Sequence, residues 1–204
     1  MKDNGLQTVG TLLAGLSWVA LLLTTATNDW VHMCTYGYNT CLRFGDLASK
    51  GLWVECVTQH GFYHCKPFEN ILRLPAYMQA CRALMLLSCI VTVPALLMAC
   101  SALCCTTLSQ DAARTIRGRT RSAGIVMLLV GLCSLVASVW FPVSAHRENP
   151  IMSFGYSLYL AWIGSVLALL SAGLLACCTA AVDEGEARRS RIGTSSTHAK
   201  SVHV

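Results

Sequence analysis

Charge is what this chain has least of. Only 12% of its 204 residues are Asp, Glu, Lys or Arg, while 54% are hydrophobic. An ordinary soluble domain carries about 25% charged residues. The missing charge is missing in blocks. No charged side chain falls in Leu6 to Thr27, Ala83 to Gln110, Ser122 to Ala145 or Pro150 to Val182. Each block exceeds the roughly 20 residues a helix needs to cross about 30 Å of hydrocarbon. What remains between the blocks is too short for a separate large soluble domain. No acid, base and nucleophile gather on one face, which argues against an enzyme. The mean hydropathy of +0.54 fits the same picture. The pattern predicts an integral membrane α-helical protein with four transmembrane helices.

The basic residues orient it. Arg114, Arg117, Arg119 and Arg121 face a lone Asp111 in one loop, and Arg188, Arg189, Arg191 and Lys200 mark the tail. Excess Lys and Arg stay in the cytoplasm. The expected layout has a cytoplasmic N-terminus at 1–5 and spans at 6–28, 77–105, 122–145 and 158–182. Extracellular loops fall at 29–76 and 146–157, a cytoplasmic loop at 106–121 and a cytoplasmic tail at 183–204. Lys2, Thr24 and Ala26 loosely suggest a signal peptide. The apolar stretch is longer than the roughly 7–15 residues of a signal core, so an uncleaved anchor is expected. The net charge of +5 comes mostly from the cytoplasmic side. It suits anionic inner-leaflet lipid and needs no nucleic acid to explain it. No Asn-x-Ser/Thr acceptor occurs in the outer loops.

The first outer loop holds GLWVECVTQHGFYHC, residues 51–65. Outside the cell thiols oxidise. Residues 54–57 alternate as a strand does, 59–61 read as turn, and 62–64 resume the strand. Such a hairpin sets Cys56 opposite Cys65, and a disulfide is the favoured reading. Closing so short a loop stabilises the fold by about 2–3 kcal/mol in the chain-entropy model. A metal site would use His60 and His64 with the two cysteines. On a strand, residues four apart lie about 13 Å apart, too far for one ion. A catalytic Cys/His pair lacks an orienting Asp and an oxyanion hole. No metal and no cofactor are therefore expected.

Trp30, the run Gly51-Leu52-Trp53, and Cys56 with Cys65 in the first outer loop of a four-span protein resemble the claudin signature. Arg82 within QACRAL at the mouth of the second span is similar to the claudin arginine. Leu158-Tyr159 and Trp162 at the start of the fourth span are similar too. The stretches TNDWV, KGLW, YHCKP, QACRALM, WFPV, AHRE, SFGYSLY and THAKS read much like one member of that family. The resemblance covers nearly the whole chain. It implies a four-helix bundle carrying an extracellular antiparallel β-sheet, built mostly from the first loop. It implies polymerisation with other claudins side by side and across the cell gap, at plasma-membrane tight junctions. It also implies strands that seal the paracellular space or leave ion-selective pores in it. A non-junctional role in the wider peripheral-myelin-protein superfamily is the remaining alternative.

Other residues carry narrower expectations. Trp30 and Trp53 both read as packing and interfacial anchoring residues. Phe44 and Leu52 read as candidate contacts between subunits. Cys34 and Cys41 either pair with each other or stay free. Cys81, Cys89, Cys100 and Cys133 read as small apolar packing residues. Cys104-Cys105 and Cys177-Cys178 each end a span at the cytoplasmic face and are palmitoylation candidates. Arg82 reads as structural, snorkelling, pairing, or anchoring the sheet to the bundle. Pro94 should bend the second span or loosen its hydrogen bonds. Arg147-Glu148 precedes Asn149-Pro150 where many claudins carry an aromatic pair, with Phe154 and Tyr156 as candidate substitutes. Lys66, just after Cys65, stands where the family sets charge selectivity, and its sign implies a cation barrier unless Glu55 and Glu69 offset it. The Ser- and Thr-rich tail ends Val202-His203-Val204, a PDZ-type end. In a claudin-like chain it implies zonula occludens scaffold partners.

Overall fold

A computed structural model describes residues 2–34, 47–59, 62–68, 74–104, 110–148 and 152–176. Among the described residues the helices are α1 (Lys2–Ala26), α2 (Ala76–Cys104), α3 (Gln110–Glu148) and α4 (Tyr156–Ala176). Each contains a stretch long and apolar enough to span a membrane. α3 begins at Gln110, so it runs through most of the segment read as a cytoplasmic loop. Hydropathy marks where the membrane is, whereas Gln, Ala and Arg are good helix formers wherever they lie. α2 continues through Pro94, and α3 carries Pro142 inside it.

The helices are inside-out relative to a soluble bundle. Ala14, Ser17, Ala95, Ala137, Ala161, Ser165 and Ala168 are buried between them. Many large aliphatic side chains face outward, with Leu12 64%, Ile90 67% and Leu97 66% exposed, although Leu21, Met85, Met127 and Phe141 are buried. That arrangement suits hydrocarbon as the surroundings, since lipid solvates leucine and leaves close packing and interhelical hydrogen bonds to hold helices together. Such bonds are present. Ser17 Oγ donates to the Gly164 carbonyl at 2.7 Å, and Ser171 Oγ to that of Gly10 at 2.8 Å, joining α1 to α4. Trp18 Nε1 donates to the Cys89 carbonyl at 3.1 Å, joining α1 to α2. Ser165 Oγ meets Ser134 Oγ at 2.8 Å, joining α4 to α3. Cys81 Sγ reaches the Ala137 carbonyl at 3.5 Å.

One antiparallel sheet has the strand order β4-β3-β2-β1-β5. The strands are β1 (Val31–Cys34), β2 (Leu47–Lys50), β3 (Val54–Gln59), β4 (Phe62–Pro67) and β5 (Met152–Phe154). Four come from the segment between α1 and α2, and β5, between α3 and α4, pairs its Phe154 with Val31 of β1. Cys56 and Cys65 are register partners and form a disulfide, with 4.0 Å between their Cα atoms. Neither offers a thiolate to a metal. His60, the other expected ligand in the turn, lies outside the described residues, as do Cys41, Phe44 and Glu69.

Candidate functional site

The signature residues form the joint between sheet and bundle. Trp30 ends the connection from α1 and is 0% exposed. Its indole N–H donates to the Thr24 carbonyl at 3.1 Å, and its ring lies 5.0 Å from that of Phe141 in α3. Trp30 is thus a core residue and not an interfacial anchor. Gly51 passes so close to Asn28 that a Cβ would stand 2.5 Å from its backbone, which explains a glycine there. Its N–H closes the β2–β3 turn on the Val54 carbonyl at 3.0 Å.

Leu52 is 0% exposed and packs in the main core. This corrects the expectation that it contacts a neighbouring subunit: the turn points it down into the helices. Trp53 Nε1 donates to the Thr25 carbonyl of α1 at 2.8 Å. Arg82, on α2, completes the joint. Its Nε donates to the Leu52 carbonyl, and its guanidinium lies 5.1 Å from the Trp53 ring centre and 5.3 Å from that of Phe68. Planar charge over aromatic faces is favourable, more so away from water. The anchoring reading of Arg82 is the one its geometry fits. A backbone carbonyl and two rings are its partners, with Met78 Sδ at 3.8 Å.

A second tie was missed in the sequence. Lys50, at the end of β2, places Nζ 2.9 Å from Glu148 Oε2 at the top of α3. The Tyr77 hydroxyl of α2 lies 3.3 Å from Lys50 Nζ and donates to Glu148 at 3.1 Å. Burial alone lowers the Lys50 pKa, but the hydrogen bond to Glu148 and the neighbouring Tyr77 together outweigh it and leave it raised. The signal available was Glu148 itself, a carboxylate just past the charge-free block 122–145.

A third tie holds β5. Gly155 N–H donates to the Trp30 carbonyl at 2.9 Å and Ser157 N–H to that of Asp29 at 3.2 Å. Phe154 and Tyr156 are both exposed, and the Phe154 ring meets Trp162 edge-on at 5.9 Å. Lys66 is exposed on edge strand β4, and its register partner on β3 is Glu55. Cys34 ends β1, and Cys104 ends α2. Cys105, Cys177, Cys178 and Val202, His203 and Val204 lie outside the described residues. Among the described residues, no three of His, Cys, Asp and Glu converge as metal ligands would.

The profile of the PMP-22/EMP/MP20/Claudin family matches residues 4–176. The chain belongs to that family. Claudin-11 of Homo sapiens, the oligodendrocyte-specific protein, is 45% identical over 207 residues, covering all of both chains. Claudin-11 of Mus musculus is equally similar. Claudin-7 of Mus musculus is 34% identical over 186 residues, 87% of each chain. The chain is accordingly a claudin: a multi-pass tight-junction membrane protein, structural and not enzymatic. Claudins form junction strands with other claudins.

Proposed function

We propose that the chain polymerises with claudins in its own membrane and with those of the opposed cell, sealing the paracellular space against ions and solutes. The observation that supports this best is the joint of Trp30, Leu52, Trp53 and Arg82. It fixes the sheet on the bundle through both packing and hydrogen bonds. A polymer repeats one contact many times, and a pre-set sheet lowers the ordering cost of each. Expression in cells that lack strands tests the reading. Freeze-fracture should show strands, and transepithelial resistance should rise. Strands without a rise in resistance would favour the alternative, an ion-selective pore.

The finer reading is a barrier that excludes sodium better than chloride, with Lys66 as the selective charge. Glu55 opposite it in the sheet offsets part of that charge. Both termini are read as cytoplasmic from the basic residues. The tail end Val202-His203-Val204 is read as a ligand for PDZ scaffolds of the zonula occludens type. Cys104, Cys105, Cys177 and Cys178 are read as palmitoylation sites that hold the cytoplasmic helix ends at the bilayer. Deleting Val202–Val204 should leave strands intact and weaken scaffold binding.

A further inference from the structure

A cleft of about 520 Å³ opens between the outer end of α3, β5 and α4. Val139 and Val143 of α3 form one side, Phe154 and Trp162 the other, and His146 and Arg147 stand at its upper end. We propose that it binds one phosphate-bearing glycerophospholipid of the outer leaflet, with an acyl chain between the apolar walls and the phosphate at Arg147.

The placement supports this. α3 ends at Glu148, beside the sheet. At 1.5 Å per residue, Val139 lies about 12 Å below Arg147. The cleft therefore runs from headgroup level into the outer hydrocarbon. Val139 and Val143 are half-exposed, so it opens sideways to the bilayer. An extended peptide entering there would carry unpaired backbone N–H and C=O groups into hydrocarbon, a heavy cost that only a helix avoids. An acyl chain carries none.

The charge is complementary. No acidic residue lines the cleft. Arg147 is exposed and, unlike its neighbour Glu148, has no ion pair among the described residues. Arginine stays protonated and matches phosphate oxygens with two parallel donors. His146 adds a donor at the same level. The volume falls within the roughly 300–1,000 Å³ typical of small-molecule sites.

The test is native mass spectrometry of the detergent-solubilised full chain, titrated with phosphatidylglycerol, phosphatidylcholine and diacylglycerol. Both phospholipids should bind, and diacylglycerol about tenfold more weakly, the loss expected for one charge-assisted hydrogen bond. Arg147→Gln should erase that preference. Val143→Trp, at a half-exposed position, should fill the cleft and abolish binding of all three while the protein melts near its normal temperature. Inorganic phosphate at equal concentration should not compete; if it does, the site takes the ion and not the lipid. A benzophenone side chain in place of Val143 should crosslink to phospholipid. Crosslinking to a second copy, or lipid binding unchanged in both variants, overturns the proposal.

Discussion

Arg82 is a buried cation whose partners are a carbonyl oxygen and two aromatic faces. Removing it leaves the Leu52 carbonyl without its donor and the Trp53 and Phe68 rings without their cation. Arg82→Ala should therefore cost about 2–4 kcal/mol, read as a lower melting temperature of the purified protein in detergent. Arg82→Lys keeps the charge but loses the planar stack, and should fall between the two. If Lys and Ala melt alike, the stacked geometry matters and the charge does not. At Cys56 the logic differs. Cys56→Ser removes a disulfide worth about 2–3 kcal/mol and leaves Cys65 an exposed thiol. Surface maleimide labelling should be greater in the variant than in the natural chain. Single residues were legible where chemistry is local: two cysteines on facing strands need only the alternation of the segment. Leu52 was not, because what buries it are helix faces far away in the chain.

The elements show the same division. The four helices were legible because lack of charge over twenty residues is a strong and local signal. The β3–β4 hairpin was legible from its alternation. The short strands VHMC, LASK and MSF were not, since nothing in three or four residues specifies a strand whose partner is distant. Nor was the Lys50–Glu148 pair, 98 residues apart. β5 depends on a close approach: at Gly155 a Cβ would overlap the Asp29 carbonyl. Gly155→Ala should push β5 off β1, costing about 1–3 kcal/mol and raising hydrogen exchange at Val31 and Met33. The Lys50–Glu148 pair is partly exposed, 13% and 38% for the two side chains, so its coupling in a double-mutant cycle with Lys50→Met and Glu148→Gln should be about 1 kcal/mol or less. Its pH dependence has a definite sign. The Lys50 pKa is raised in the fold, so its contribution is complete below the ordinary 10.5 and disappears only as pH climbs through the higher folded value. Stability curves of the natural chain and Lys50→Met should run parallel near neutrality and converge above that range.

At the scale of the whole molecule, charge is separated along the chain, with an excess of arginine in α3's first turns and a balanced count of acids and bases in residues 29–76. A paracellular barrier depends on the balanced segment. Lys66 lies on β4, the edge of the sheet furthest in strand order from β5. A fixed cation repels a mobile one by roughly 1 kcal/mol at about 4 Å even at water's dielectric, and by more in a narrow, partly desolvated gap. Alone, that disfavours sodium by about fivefold. Glu55 sits directly across from Lys66, so the pair is locally neutral and the natural preference should be smaller than that. Lys66→Glu replaces a neutral pair with two facing carboxylates. Relative permeability should then swing toward sodium by several-fold in dilution-potential measurements on epithelial layers. Glu55→Gln should move it the other way, by exposing the lysine charge. Both directions are required, because a change in strand number alone would alter conductance for sodium and chloride together. An unchanged sodium-to-chloride ratio in Lys66→Glu, with the variant seen in strands, would remove Lys66 from the ion path.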